Sequence, residues 1–138
     1  MVDSGDPRMI KDQIMDEHVF YINRALLKQY ADASGDQNPI HQDQAFAQSV
    51  GLPDVIAHGM LTMALVGKYV STLAGGSEKV LELGGRFTKP VVVPADREVD
   101  LTVSATVTEV VDGKASLSLS ATSAGVKVLG MAKAVIQI

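Results

Sequence analysis

The stretch VIAHGMLTMALVGKYVSTLAGG, residues 55–76, decides the fold. Its apolar side chains, among them Met60, Leu61, Met63, Leu65, Val66, Val70 and Leu73, fall nearly all round a helical wheel. A helix that is apolar on every side has to be enclosed by other structure, because no face of it suits water. His58 and Lys68 interrupt the run and leave it short of a bilayer's thickness, so a buried helix is expected rather than a membrane span. Gly75 and Gly76 supply the backbone freedom at which such a helix stops.

What encloses the helix follows it in the chain. From Val80 onward the hydrophobic period changes to two: Val99, Leu101, Val103, Ala105 and Val107 alternate with polar residues, and so do Ala115, Leu117, Leu119 and Ala121. Such alternation marks half-buried antiparallel strands. Asp112-Gly113 between the two runs is a hairpin turn signal, and Gly125 marks a turn into a last strand over residues 126–138. Upstream, residues 14–22 form a weak strand candidate that places His18 on an exposed edge. Asn23 stands as the cap of a helix whose face is Ala25, Leu26, Tyr30 and Ala33. A second short helix is expected over residues 40–50, with Asn38 as its cap and Pro39 at its first position. Residues 1–12, charged and without period, are expected to be a flexible arm before a single domain over residues 13–138. Helices first and a run of antiparallel strands afterwards make an α+β domain, with the sheet wrapped round the long helix. One sheet cannot cover that helix and also protect both its own edges, so dimerisation through an edge strand or the helix face is expected.

A length of 138 residues with 46% hydrophobic and 20% charged content suits one globular domain. The net charge of −4 and the presence of only three Phe and three Tyr argue against a groove that tracks phosphates and stacks bases, so nucleic acid is not an expected partner. With no cysteine, a disulfide framework, a zinc-thiolate site and a thiol nucleophile are all excluded. The three histidines lack metal-motif spacing, and no metal is expected. The polar, acidic N-terminal residues do not read as a secretory signal, which makes a cytoplasmic location the expectation.

Chemistry concentrates in SGDQNPIH, residues 34–41. Asp36 and His41 are too far apart for one helical turn, but Asn38 and Pro39 between them signal a change of direction that lets a carboxyl and an imidazole converge. Such a pair beside one water can take a proton from one atom while supplying one to another. The plainer alternative, a turn aspartate and a helix-start histidine, stands beside it. Asn38 reads first as a cap. In AHGM, residues 57–60, Gly59 lies at the start of the long helix, where free N–H groups and the helix dipole can hold negative charge on a carbonyl oxygen. His58, flanked by apolar residues, reads first as a satisfied core histidine.

YADASGDQNPIHQDQAFA (residues 30–47) followed by AHGMLT (residues 57–62) resembles the MaoC-like (R)-specific hydratase and dehydratase family of hot-dog proteins. Within it the likeness is closest to the dehydratase β subunits of bacterial long-chain fatty-acid elongation. It implies a hot-dog fold and reversible hydration between trans-2-enoyl and (3R)-3-hydroxyacyl thioesters of acyl carrier protein or coenzyme A, with no cofactor. It also implies a homodimer or a heterodimer with a related hot-dog subunit. Carried over by residue, it makes Asp36 and His41 the catalytic pair, Asn38 a supporting residue of the same loop and the Gly59 amide the oxyanion donor; His58, next to Gly59 in the chain, is counted as a supporting residue from its own position. The acyl chain is expected along the long helix past Met60, Met63, Val66 and Gly67. Gly67 departs from the pattern, since many single-chain hydratases resembling this chain carry a serine there, and this favours the dehydratase β subunits. Two other readings are an acyl thioesterase and a non-catalytic acyl-binding subunit. Against the first, hot-dog thioesterases usually carry a carboxylate on the central helix and none stands between Gly59 and Leu73; against the second, Asp36, His41 and Gly59 are all present.

Overall fold

The computed structural model describes residues 9–138. In chain order it contains β1 (His18–Ile22), α1 (Arg24–Ser34), a 3₁₀ turn (Pro39–His41), α2 (Gln44–Ser49), α3 (Gly59–Ala74) and a second 3₁₀ turn (Ser77–Lys79). The strands β2 (Val80–Phe87), β3 (Val99–Val111), β4 (Lys114–Ser123), β5 (Val126–Lys127) and β6 (Leu129–Gln137) follow. All paired strands are antiparallel, in the order β1-β3-β4-β6-β2, with β5 paired to β4. This is the α+β architecture expected of a hot-dog fold, with one antiparallel sheet packed against a long central helix.

Local chemistry sets the element boundaries. The Asn23 side chain accepts the Leu26 N–H and starts α1, while Gly35 at φ 83° closes it. Gly75 at φ 84° closes α3. Asp112 and Gly113, both at positive φ, form the β3–β4 turn, the geometry that matches the right-handed twist of a hairpin. The alternation in β3 and β4 puts Leu101, Val103, Ala105 and Val107, together with Ala115, Leu117, Leu119 and Ala121, on the covered face. There they share one core with Leu61, Val66, Tyr69 and Val70 of α3. Each fully buried Val or Leu of this layer contributes about 1.5–3 kcal/mol.

Several expectations need correction. The arm expected over residues 1–12 lies outside the described residues for its first eight positions. Met9 is buried in the core and the Asp12 N–H donates to the Val107 carbonyl, so residues 9–12 pack as part of the domain. The early strand shortens to His18–Ile22, with Ile14 forming a single bridge to Thr106. On α1 the buried positions are Leu27 and Ala31, with Leu26 and Tyr30 half-buried beside them and Ala25 and Ala33 exposed. The covered stripe is therefore one residue round from the expected one. The helix expected over residues 40–50 divides at Asp43, whose extended backbone breaks the turn and whose carboxylate caps α2 afresh at the Phe46 N–H. The last strand is interrupted at Val128, whose side chain is buried and whose N–H donates to Ala121. Finally, α3 is not enclosed on every side by its own chain: Met60 is 63% exposed. The adjacent edge strand β2 leaves Leu81, Leu83 and Phe87 exposed as well.

Asp100 at the start of β3 accepts hydrogen bonds from the Ala124 N–H (2.9 Å) and the Thr102 hydroxyl (2.8 Å). These bonds, the first being the larger cause, hold its carboxyl below the usual carboxylate range. A depressed carboxyl stabilises the fold above its unfolded pKa, and the contribution is lost as pH falls through the lower folded value. Asp100→Asn is expected to lower the urea midpoint at pH 7, with the deficit shrinking below about pH 4. A deficit unchanged with pH in urea titrations contradicts this assignment.

Candidate active site

The loop after α1 folds back on itself through side-chain bonds to its own backbone. Asp36 Oδ1 accepts the Asn38 N–H (3.1 Å), Asn38 Oδ1 accepts the Ile40 N–H (3.1 Å), and the His41 N–H donates to the Asn38 carbonyl (3.1 Å). Asn38 thus caps the 3₁₀ turn that Pro39 opens, and the tight turn carries His41 inward while Asp36 stays at the surface. His41 is buried, with 7% exposure.

Backbone carbonyls fix both imidazoles. A carbonyl can only accept, so His41 Nδ1, 2.7 Å from the Ile56 oxygen, carries the proton and leaves Nε2 as a lone-pair base. His58 Nε2 likewise donates to the Asp36 carbonyl at 3.1 Å. The two rings stack at 3.9 Å with planes 24° apart, and the Tyr30 ring tilts against His58 at 4.8 Å. Burial lowers the His58 pKa, the charge of His41 lowers it further, and the bond to the Asp36 carbonyl opposes the shift. His58 is 1% exposed and its Nδ1 has no partner among the described residues, so it is not the satisfied core histidine that its sequence context suggests. An unsatisfied buried acceptor of this kind costs about 1–3 kcal/mol.

Ring nitrogens of both histidines and a carboxylate oxygen of Asp36 lie within 4.8 Å of one another, a spacing that an ion or a water could fill. Each ring has already turned one nitrogen to a carbonyl, which leaves one ring nitrogen on each histidine, and a bridging water could join these to the Asp36 carboxylate.

The start of α3 completes the arrangement. His58 at the cap position makes no side-chain bond to the first turn; its carbonyl takes the Leu61 and Thr62 N–H groups. The Gly59 N–H has no acceptor among the described residues. It borders a cavity of about 350 Å³ lined by His41, Ile56, Gly59, Thr62, Phe87 and Lys89, among others. Free N–H groups at the positive end of a helix beside an imidazole base can stabilise an oxyanion while a proton moves.

The structure therefore brings Asp36, His41, His58 and Gly59 together, with Asn38 acting through the loop's shape. The expected acyl path fares differently. Val66 lies in the core, Met63 is half-buried against it, Met60 is exposed, and Gly67 faces Leu83; none of the four lines this cavity. Sequence reasoning missed Ile56, which acts through its carbonyl and so leaves no side-chain signature. It also missed Thr62, one turn into α3 beyond Gly59, and Phe87 and Lys89, which reach the cavity from the far end of β2.

Residues 7–125 match the family model described as MaoC like domain. The 3-hydroxyacyl-thioester dehydratase X of Mycobacterium tuberculosis is 39% identical over 77 residues, covering 56% of this chain and 26% of that protein. The matched part of the chain thus spans about a quarter of the length of that dehydratase. Among solved structures, a MaoC-like dehydratase superposes with a TM-score of 0.92 at 30% identity, covering 95% of this chain and 41% of the other. The R-hydratase PhaJ1 of Pseudomonas aeruginosa, unliganded, superposes with a TM-score of 0.80 at 30% identity, covering 94% of this chain and 81% of its own.

A Cβ added at Gly59 would sit 3.1–3.3 Å from the Phe87 ring. Gly59→Ala is therefore expected to be more favourable by about 1 kcal/mol in a Phe87→Ala background than in the wild type, as measured by a double-mutant cycle of urea unfolding. Equal effects in both backgrounds contradict this contact.

Proposed function

The chain belongs to the family of MaoC-like domains, and we propose that it is a hydro-lyase interconverting trans-2-enoyl and (3R)-3-hydroxyacyl thioesters of acyl carrier protein or coenzyme A. The observation that carries this reading is the convergence of three groups: a His41 ring with a committed Nδ1–H and a Gly59 N–H without an acceptor among the described residues border one cavity, and the Asp36 carboxylate lies within 4.8 Å of a His41 ring nitrogen. Hydration of a double bond conjugated to a thioester needs these three things: a base for water, a proton source for C2 and a donor for the carbonyl oxygen.

In this mechanism His41 Nε2 takes a proton from water as the water oxygen bonds to C3. Electron density moves from the C2–C3 double bond to the thioester oxygen, where the Gly59 N–H and the α3 dipole stabilise it. The pair returns a proton to C2 by way of Asp36, so one proton enters the pair and one leaves. The two groups act as a unit that ends as it began. Because both stand on one side of the substrate, hydrogen and hydroxyl add to the same face. Lys89 lines the cavity as well, and its ammonium suits the phosphate of a pantetheine arm.

Within the family we place the chain beside the dehydratase β subunits of fatty-acid elongation, as a cytoplasmic enzyme. Gly67 supports this, since a Cβ there would already press to 3.3 Å from Leu83, leaving little room for a serine. A related hot-dog subunit, of the same or a different sequence, would cover β2 and the open face of α3, where Leu81, Leu83, Phe87 and Met60 are exposed. Among the described residues no helix is long and apolar enough to cross a membrane.

The test is hydration of crotonyl-CoA and longer enoyl-CoA substrates, followed by loss of enoyl-thioester absorbance. Asp36→Asn and His41→Ala are each expected to lower kcat/KM by roughly 10²- to 10⁴-fold while circular dichroism stays that of a folded protein. Unchanged activity in both variants would sink the mechanism. Prior treatment with a chelator is expected to leave the wild-type rate as it was, and a loss restored by a divalent cation would point to an ion between Asp36 and His41 instead.

A further inference from the structure

His58 is a buried side chain for which the acid–base steps above have no use. It sits at the cap position of α3, where a Ser, Thr, Asp or Asn side chain would satisfy a first-turn N–H, and it makes no such bond. Its Nδ1 has no partner among the described residues. Neither capping nor packing accounts for an imidazole here, since an apolar ring of similar shape would fill the space without an orphaned acceptor.

What the ring does make is one contact to each member of the pair. Its Nε2–H holds the Asp36 main-chain carbonyl at 3.1 Å, across 22 positions of sequence. Its face lies on His41 with centroids 3.9 Å apart. The Tyr30 ring, tilted at 59° with its centroid 4.8 Å away, packs against it as well. The loop bearing Asp36 is exposed, so its own Asx turn does not fix its distance from His41; a buried group that touches both does.

We propose that His58 is a positioning residue for the Asp36/His41 pair, setting the separation across which the reacting water is held, through its bond to the Asp36 carbonyl and its stack on His41. The role rests on the hydration reading above. Misplacing a reacting group by about 1 Å can cost roughly 10²-fold in rate, so an effect of that size is expected when both contacts are removed.

Three variants separate the contacts. His58→Gln keeps an N–H donor near the Nε2 position without the ring face, His58→Phe keeps a ring without the donor, and His58→Leu keeps neither. In steady-state hydration of crotonyl-CoA, His58→Leu is expected to lose roughly 10²-fold in kcat with KM changed little. The Gln and Phe variants should each recover part of that loss. Thermal unfolding of all four proteins supplies the control. A kcat in His58→Leu within threefold of wild type, whatever its thermal stability, overturns the proposal. It is equally overturned if the His58→Leu loss tracks the loss of folded protein while the Gln and Phe variants both turn over at the wild-type rate. Absence of hydration by the wild-type protein overturns the hydration reading itself, and this role with it, an outcome distinct from an active enzyme indifferent to position 58.

Discussion

Residues 55–57 form a short extended segment held by backbone hydrogen bonds on both sides, and the site depends on that clamp. On one side the Ala57 N–H donates to the Val91 carbonyl (2.9 Å) and the Val93 N–H to the Val55 carbonyl (2.8 Å). On the other, the Ile56 N–H donates to the Ile40 carbonyl (3.1 Å) and the Ile56 carbonyl accepts from His41 Nδ1 (2.7 Å). Arg24 ties the same region to the start of α1, donating from Nε to the Val93 carbonyl and from Nη2 to Asp54. The Asp54 carboxylate in turn takes the Val55 N–H. One three-residue segment thereby sets the tautomer of His41, the position of the turn that carries it and the point from which α3 departs.

That point of departure is where stability and chemistry pull apart. A capped helix start is worth about 1 kcal/mol more than an uncapped one, and α3 begins uncapped. A cap side chain would take the Met60 or Leu61 N–H; the Gly59 N–H, at the first helical position, has no acceptor among the described residues and borders the same cavity as His41. The helix is kept in place by its other end and its flanks, with Leu61, Val66, Tyr69 and Val70 buried in one core together with side chains of β3, β4 and β6. The Tyr69 hydroxyl donates to the Asp16 carbonyl at 2.7 Å and pins the helix to the segment before β1. A rigid, well-buried helix can present an unsatisfied terminus to a substrate without fraying.

Much of this was legible in the residues. Period-two alternation gave β3 and β4 with the correct covered faces, because a strand buried on one side writes its orientation directly into the sequence. Asn23, Gly75 and Asp112-Gly113 marked boundaries where the backbone requires a particular residue type. The convergence of Asp36 and His41 could be read from Asn38-Pro39, as a turn between two titratable groups. Other features were not legible, for equally physical reasons. The all-round apolar pattern of α3 reports that every face avoids water but not what covers it, and its own chain leaves Met60 open. Val66, expected on the acyl path that the resemblance implies, lies in the core. Asp43 restarts a helix inside a run that reads as continuous, and only its extended backbone reveals the break. Ile56 acts through a main-chain oxygen, which no side-chain pattern records.

The central claim is that Asp36, His41 and Gly59 add water across the double bond of a thioester rather than cleaving the thioester. The most direct measurement is a single-turnover reaction of the isolated chain with crotonyl-CoA in deuterium oxide, with the product identified by mass spectrometry and proton NMR. The account predicts (3R)-3-hydroxybutyryl-CoA bearing one deuterium at C2 on the same face as the new hydroxyl, and no free thiol. Release of free coenzyme A without a hydroxyacyl product, or deuterium on the face opposite the hydroxyl, would contradict it.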